Sequence, residues 1–308
     1  MVLKNKRGFQ ISFSWFFAIV VGGSILFLAI YGATKVIDTG GETTSAKAGK
    51  EIGVLLNPLE SGFESGQVTK ISMPVETRIY NLCDDITGNF GKQLIRASQK
   101  SFGRWSQTDI DVGFQNKYIF SNETVEGKNF LIFSKPLELP FKVADLIYLT
   151  SSKESYCFDK APEDIKKELE DLAQSNIQTE SCSQESVKVC FSPGNDCDIN
   201  VNLVRGEVKK DGEILYFDGH ALMYGAIFAD SEGYECQVKR LMKRAVELST
   251  IYIEKSNIVA AEGCSQDINL FSLRSIAESM RTSEGLSEIA REANRVDKEN
   301  ERAGCMLW

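Results

Sequence analysis

The apolar and polar positions divide the chain into two unlike parts. Residues 8–34 carry no charge, and residues 13–30 are almost continuously apolar, with Ser12, Ser14 and Ser24 as the polar members. A helix rises about 1.5 Å per residue, so ~20 residues cross the hydrocarbon core of a bilayer with every backbone group paired. A soluble core helix of this length would show a polar face, and this run has none. The pattern predicts one transmembrane helix over 9–37.

Shorter periods follow the break at Asp38-Thr39-Gly40-Gly41. Residues 44–56 read as helix, ended by Asn57-Pro58. Residues 73–83 alternate as a half-buried strand, with Val75, Thr77 and Ile79 on one side and Glu76, Arg78 and Tyr80 on the other. Residues 90–101 fit a strand or a short helix. Residues 117–120 and 129–134 flank 122–127 and predict a hairpin, and 143–150 predict a buried strand. Pro162-Glu163-Asp164 opens a helix with Pro near N1 and acids at the positive end of the dipole; its stripe is Ile165, Leu169 and Leu172. Strands are expected at 187–191 and 198–204, and Lys210-Asp211-Gly212-Glu213 is a hairpin turn. The unbroken apolar run 221–229 predicts a central strand. Residues 232–256 form a long helix with Val238, Leu241, Met242, Ala245, Leu248 and Ile251 in phase. Residues 268–302 make one or two amphipathic helices broken near Gly285. Their stripe Leu270, Leu273, Ile276 and Met280 suits a core, and the charged part 288–302 is free to project towards solvent or a partner.

The fold class expected is α+β to α/β: a single N-terminal transmembrane helix followed by a mixed-sheet ectodomain with packed helices. The divisions are a basic segment 1–8, the membrane helix 9–37, a helical linker 38–70, a disulfide-containing α/β ectodomain 71–265 and C-terminal amphipathic helices 266–308. No internal repeat is visible.

Charge gives the topology. Lys4, Lys6 and Arg7 precede the apolar run, whereas Lys35, Asp38, Glu42 and Lys47 after it are mixed. The positive-inside rule puts the N-terminus in the cytoplasm and the C-terminal domain outside, a single-pass protein of the cell membrane. Four of the 35 basic residues and none of the 43 acidic ones lie before Asp38, so the ectodomain carries −12 against −8 for the whole chain. That excludes a general nucleic-acid partner, which needs a basic face, and disfavours an ectodomain lying on an anionic membrane. A cleaved secretory signal at Val21-Gly22-Gly23 is the rival, but it would leave Ile25-Leu26-Phe27-Leu28 as an apolar new terminus.

All eight cysteines, Cys83, Cys157, Cys182, Cys190, Cys197, Cys236, Cys264 and Cys305, fall on the expected outside. An even number in an oxidising space predicts disulfides. Sequence leaves the pairing open, although the spacing within 182–197 suits a local tie around a hairpin. Zinc fails on spacing, since no C-x-x-C occurs and His220 is the one histidine. Cys305-Met306-Leu307-Trp308 has the shape of a prenylation box, which an extracellular tail would not expose to the enzyme.

Candidate chemistry is sparse. Gly62–Gly66 has a nucleophile elbow's ingredients with the first glycine one residue too distant, and Gly88-Asn89-Phe90-Gly91-Lys92 is the end of a P-loop without its length. Asp196, Asp198, Asn200, Asn202 and Glu207 match calcium-loop positions 1, 3, 5, 7 and 12, but Val201 stands where the sharp turn wants glycine, and Ile199, Val201 and Leu203 alternate as a strand. Asn122-Glu123-Thr124 is a glycosylation sequon. No catalytic residue, metal or cofactor is assigned. Asp218 and His220, at the edge of the expected strand 221–229, are the pair an ectoenzyme would use.

Lys6-Arg7-Gly8-Phe9, followed at once by the apolar helix, resembles the leader of type IV pilins and their archaeal relatives. The resemblance implies cleavage after Gly8 and a retained helix that forms the assembly surface of an oligomer or filament. Phe13 stands where bacterial pilins favour glutamate, and Gly40-Gly41 interrupts a helix that the family usually continues. The match covers about 30 of 308 residues. The cysteine-rich ectodomain resembles uncharacterised membrane-anchored archaeal proteins. Two functions follow: a non-enzymatic surface protein in binding, adhesion or pilin-like assembly, or an anchored, hydrolase-like ectoenzyme.

Overall fold

A computed structural model describes residues 13–33, 68–101, 103–106, 111–192, 196–264 and 268–308. Lys6, Arg7, Gly8, Phe9, the expected linker helix over 44–56, and the Gly62–Gly66 motif lie outside the described residues. The described chain contains six α-helices and two mixed sheets.

Helix α1, Phe13–Ala33, is long and apolar enough to cross a membrane and is exposed on every side. The first sheet has seven strands: β1 (Val68–Asp84), β2 (Lys92–Ser101), β3 (Arg104–Trp105), β4 (Val112–Phe114), β5 (Tyr118–Phe120), β6 (Thr124–Glu138) and β7 (Lys142–Ser151). Their order is β3-β2-β1-β6-β7-β5, with β4 on β2. The β1–β6 register shifts between Ser72 and Thr77. Thr77 and Ile79 are buried as the alternation predicts, but Val75 falls in that irregular stretch and is 37% exposed. Residues 92–101 resolve to strand rather than helix.

The hairpin expected around 122–127 does not form. Strand β6 is taken on one edge by β1 and on the other by β7, and β5 pairs in parallel with β7. Local turn signals mark a break in the chain but do not say which edge is vacant. Strand β7 is buried from Val143 to Ser151, as its unbroken apolar pattern requires.

The second sheet runs β13-β12-β11-β10-β8-β9, from β8 (Tyr156–Asp159), β9 (Ile177–Gln178), β10 (Val187–Cys190), β11 (Ile199–Asn202), β12 (Glu207–Lys210) and β13 (Glu213–Tyr216). Helix α2 (Glu163–Asp171) connects the parallel pair β8–β9 and buries Ile165 and Leu169, with Leu172 just beyond its end. The β12–β13 hairpin forms as expected. Asp211 and Gly212 have φ of 51° and 82°, the two left-handed residues of a type I′ turn.

The largest correction concerns 221–229. It is helix α3 (Gly219–Phe228), not a strand, and every residue from Ala221 to Phe228 is buried. Helix α3 touches β5, β6 and β7 of one sheet and β12 and β13 of the other. Core on both sides removes the polar face that would have revealed a 3.6-residue period. Gly225 is required at one of these contacts, because a Cβ there would come within 2.8 Å of the Phe120 ring.

Helix α4 (Ser231–Ala261) is capped by Asp230, whose carboxylate accepts from Gly233 N at 2.7 Å. It packs on β1, β5 and β7. Beyond it come α5 (Phe271–Ser279), a 3₁₀ turn at Ser283–Gly285 and α6 (Leu286–Arg302), so the break near Gly285 is observed. Helix α6 does not project. It buries Leu286, Ile289, Ala290, Ala293 and Val296, an apolar stripe threaded through its charges. Leu273, Leu286 and Ile289 share one apolar cluster with Tyr148 and Phe228. The last residues join it too: Leu307 is buried, and Trp308 meets the rings of Tyr252 and Phe141 at 5.4 and 5.6 Å.

Four disulfides use all eight cysteines: Cys83–Cys236, Cys157–Cys182, Cys190–Cys197 and Cys264–Cys305. The local tie is Cys190–Cys197, and it closes a loop between the parallel neighbours β10 and β11 rather than a hairpin. Cys305, in the apparent prenylation box, is bonded to Cys264.

Candidate functional site

His220 lies in the first turn of α3, not at a strand edge. Two carboxylates one turn apart on α2 face it. Nδ1 is 3.4 Å from Glu168 Oε2, and Nε2 is 3.6 Å from Asp164 Oδ2. Glu168 also forms an ion pair with Lys135 of β6, so three elements meet at one charged cluster. Burial alone would raise the Glu168 pKa, but hydrogen bonds from His220 and Lys135 outweigh it and hold the carboxyl below its ordinary value. Tyr224, one turn below His220, has its phenol pushed upward by burial and then by the Glu168 charge. Asp218, the N-cap residue of α3, is exposed, and no hydrogen bond or ion pair joins it to His220 among the described residues. The fold thus gives His220 two other acids in place of Asp218. With one carboxylate near each ring nitrogen, the imidazole suits a polar clasp between α2 and α3 better than a base facing substrate.

Three surface clefts lie elsewhere. The first, about 590 Å³, runs between the β1–β2 loop, one face of α4 and the end of α5. Val246, Ala277 and Met280 give it apolar lining, and Lys239, Lys243 and Arg281 give it positive charge. Lys239 is 3.6 Å from Asp85, and Lys243 donates to the Asp85 carbonyl. Glu247 and Glu278 also line it. The P-loop-like residues Gly88 and Asn89 are in its rim, on a loop whose Gly88 and Gly91 have left-handed φ. The second cleft, about 310 Å³, has the Cys83–Cys236 bridge in its wall with Glu123, Asp230 and Glu235.

The third cleft, about 770 Å³, gathers Asp198, Asn200, Asn202 and Glu207, four of the five residues with calcium-loop spacing. They do not form such a loop. Ile199–Asn202 is strand, Asp196 is paired with the Lys188 ammonium at 2.6 Å, and Asp198 accepts from Lys188 N at 2.8 Å. Asn202 Oδ1 caps the following turn, accepting from Val204 N and Arg205 N at 3.1 Å each. No group of three or more metal-ligating side chains occurs among the described residues.

Sequence reading missed a buried polar lock between α4 and the first sheet. Arg240 is fully buried and donates to the carbonyls of Phe90, Lys117 and Gln115 at 3.0, 2.8 and 2.9 Å. It also donates to Gln237, whose amide bonds Gln93 at 2.6 Å. Burial lowers the Arg240 pKa to about 10, which leaves it charged at neutral pH. The visible signal was two polar residues, Gln237 and Arg240, within the apolar phase of a long helix. The lock and Cys83–Cys236 together fasten α4 to the first sheet.

Compared with protein-family models, with curated proteins and with solved structures, the chain matches none.

Proposed function

We propose that this is a membrane-anchored extracytoplasmic protein whose head acts in surface binding, adhesion or pilin-like assembly rather than in catalysis. One observation carries the reading: a 21-residue helix, apolar and exposed on all sides, heads a chain whose eight cysteines are all paired. The helix asks for lipid, and the bridges ask for an oxidising space. The basic residues before it orient the N-terminus to the cytoplasm and the head outward. The cleft of about 590 Å³, with its apolar lining and charges of both signs, is where the head would hold a ligand or a partner segment. The retained helix would be the contact surface of a filament or oligomer, and Gly8–Phe9 the processing point.

The ectoenzyme reading with Asp218 and His220 has less support. His220 is engaged by Glu168 and Asp164, and no hydrogen bond or ion pair joins it to Asp218 among the described residues.

Protease added to intact cells tests the topology: release of the head is expected, and its full protection would overturn the proposal. N-terminal sequencing of the mature chain tests assembly. A start at Phe9 supports the pilin-like route, whereas a start at Met1 or Val2 leaves a plain signal anchor. A start beyond Ser24 removes both.

A further inference from the structure

We infer that Asn122 is an N-glycosylation site, carrying an oligosaccharide on its side-chain amide; the inference rests on the extracytoplasmic reading of the head. Asn122-Glu123-Thr124 is the one N-x-S/T triplet in the chain. The fold places it where the chain leaves the core: Phe120 and Ser121 are buried at the end of β5, Asn122 is partly exposed, and Glu123 and Thr124 are exposed as β6 begins.

The backbone of the triplet is held while its acceptor is free. Ser121 Oγ donates to the Asn122 carbonyl at 2.9 Å, and Asn81 N donates to the Glu123 carbonyl at 2.8 Å. The Asn122 amide makes no hydrogen bond among the described residues, so a sugar there displaces no native contact. Of the other asparagines, Asn176 shows the contrast: it is buried, and its amide is spent on Thr150, Ser151 and Glu154.

The reaction needs a donor of stated class, a membrane-bound lipid pyrophosphate oligosaccharide, and a transferase on the outer face. The Asn122 amide nitrogen bonds the anomeric carbon, the bond from that carbon to the pyrophosphate oxygen breaks, and the lipid pyrophosphate leaves. The amide gives up one proton to a base of the transferase. No oxidation or reduction occurs. Glu123 lines the cleft that holds the Cys83–Cys236 bridge, so the first sugars would stand at the mouth of that cleft.

The test is the mass of the full chain purified from its native host, with the peptide containing Asn122 sequenced by mass spectrometry. The expected result is a mass above that of the mature polypeptide, its start fixed by N-terminal sequencing, by a whole number of sugar residues carried on that peptide. Asn122→Gln and Thr124→Ala should abolish the addition, and Thr124→Ser should keep it. Because the Asn122 side chain has no hydrogen-bond partner among the described residues, Asn122→Gln should unfold at the same temperature as the unglycosylated wild-type chain. An unmodified peptide in a protein whose eight cysteines are oxidised would overturn the glycan and leave the topology standing. An unmodified peptide together with free thiols would overturn the topology as well.

Discussion

Two of the described helices lack a polar face, and they differ in what they ask of their surroundings. Helix α1 has 21 residues and is exposed throughout; helix α3 has 10 and is buried from Ala221 to Phe228. At about 1.5 Å per residue the first is about 31 Å long, the thickness of a hydrocarbon core, and the second about 15 Å, half of that. Apolar composition says only that a segment avoids water. Length separates the two non-aqueous solutions. Helix α3 is surrounded by protein that must fit it: Gly225 against Phe120, the Tyr148 hydroxyl donating to the Ala221 carbonyl at 2.7 Å, and Lys210 donating to the carbonyls of Ile227 and Ala229 at its C-terminus. In α1 the Ser24 hydroxyl donates within the helix itself, from Oγ to the Val20 carbonyl at 2.8 Å.

The sharpest way to break this contrast is to place one carboxylate in each helix. Ala226→Asp should abolish cooperative thermal unfolding of the head, since a buried unpaired charge costs several kcal/mol. Leu26→Asp should leave the unfolding temperature of the head unchanged and move the protein from the membrane fraction to the soluble or aggregated one. Equal unfolding temperatures for the two variants would sink the distinction.

Truncation gives a smaller, graded version. Leu222 is fully buried, and Leu222→Ala should cost about 2–5 kcal/mol in denaturant titration, whereas Leu26→Ala should cost the head nothing measurable. Next comes the bridge that fastens α4. Removing it with Cys83→Ser and Cys236→Ser should cost the head ~2–4 kcal/mol without changing membrane partition.

The pH dependence should separate them again. Burial lowers the Lys210 pKa to about 8, below the 10.5 of an ordinary lysine. Between those values the unfolded chain holds a proton that the folded head does not, so stability rises as pH rises through this window. The gain is about 3 kcal/mol at most, the destabilisation is complete below pH 8, and Lys210→Met should flatten the profile. The smallest effect is expected from Tyr148→Phe, which removes the hydrogen bond to Ala221: about 1 kcal/mol by chemical denaturation.

Where one face of a segment meets water, its period was readable before any coordinates. The stripe of α2, most of that of α4, the Thr77–Ile79 part of β1 and the Asp211-Gly212 turn follow from local chemistry, whereas Ile251 and Val75, expected to face inward, are exposed. Reading failed where water is absent from both sides or where pairing is distant. Helix α3 passed for a strand because full burial erases periodicity, and β5 was assigned to a hairpin because sequence cannot show that β1 had already taken the edge of β6. The candidate site failed in the same way. His220 was visible as the lone histidine, but Glu168, Asp164 and Lys135 come to it from 85 residues or fewer away along the chain only through the packing of α2, α3 and β6.

By itself, the sequence determined the anchor-like helix, the acidic head, the supply of eight cysteines and most single elements, because each depends on a residue's own preference for water or on neighbours within a few positions. Tertiary structure alone decided which cysteine meets which, which edge each strand fills, that α6 turns inward and that Arg240 lies buried among backbone carbonyls. Those outcomes depend on surfaces assembled from distant segments, whose competition for the same apolar area is settled only when the whole head packs.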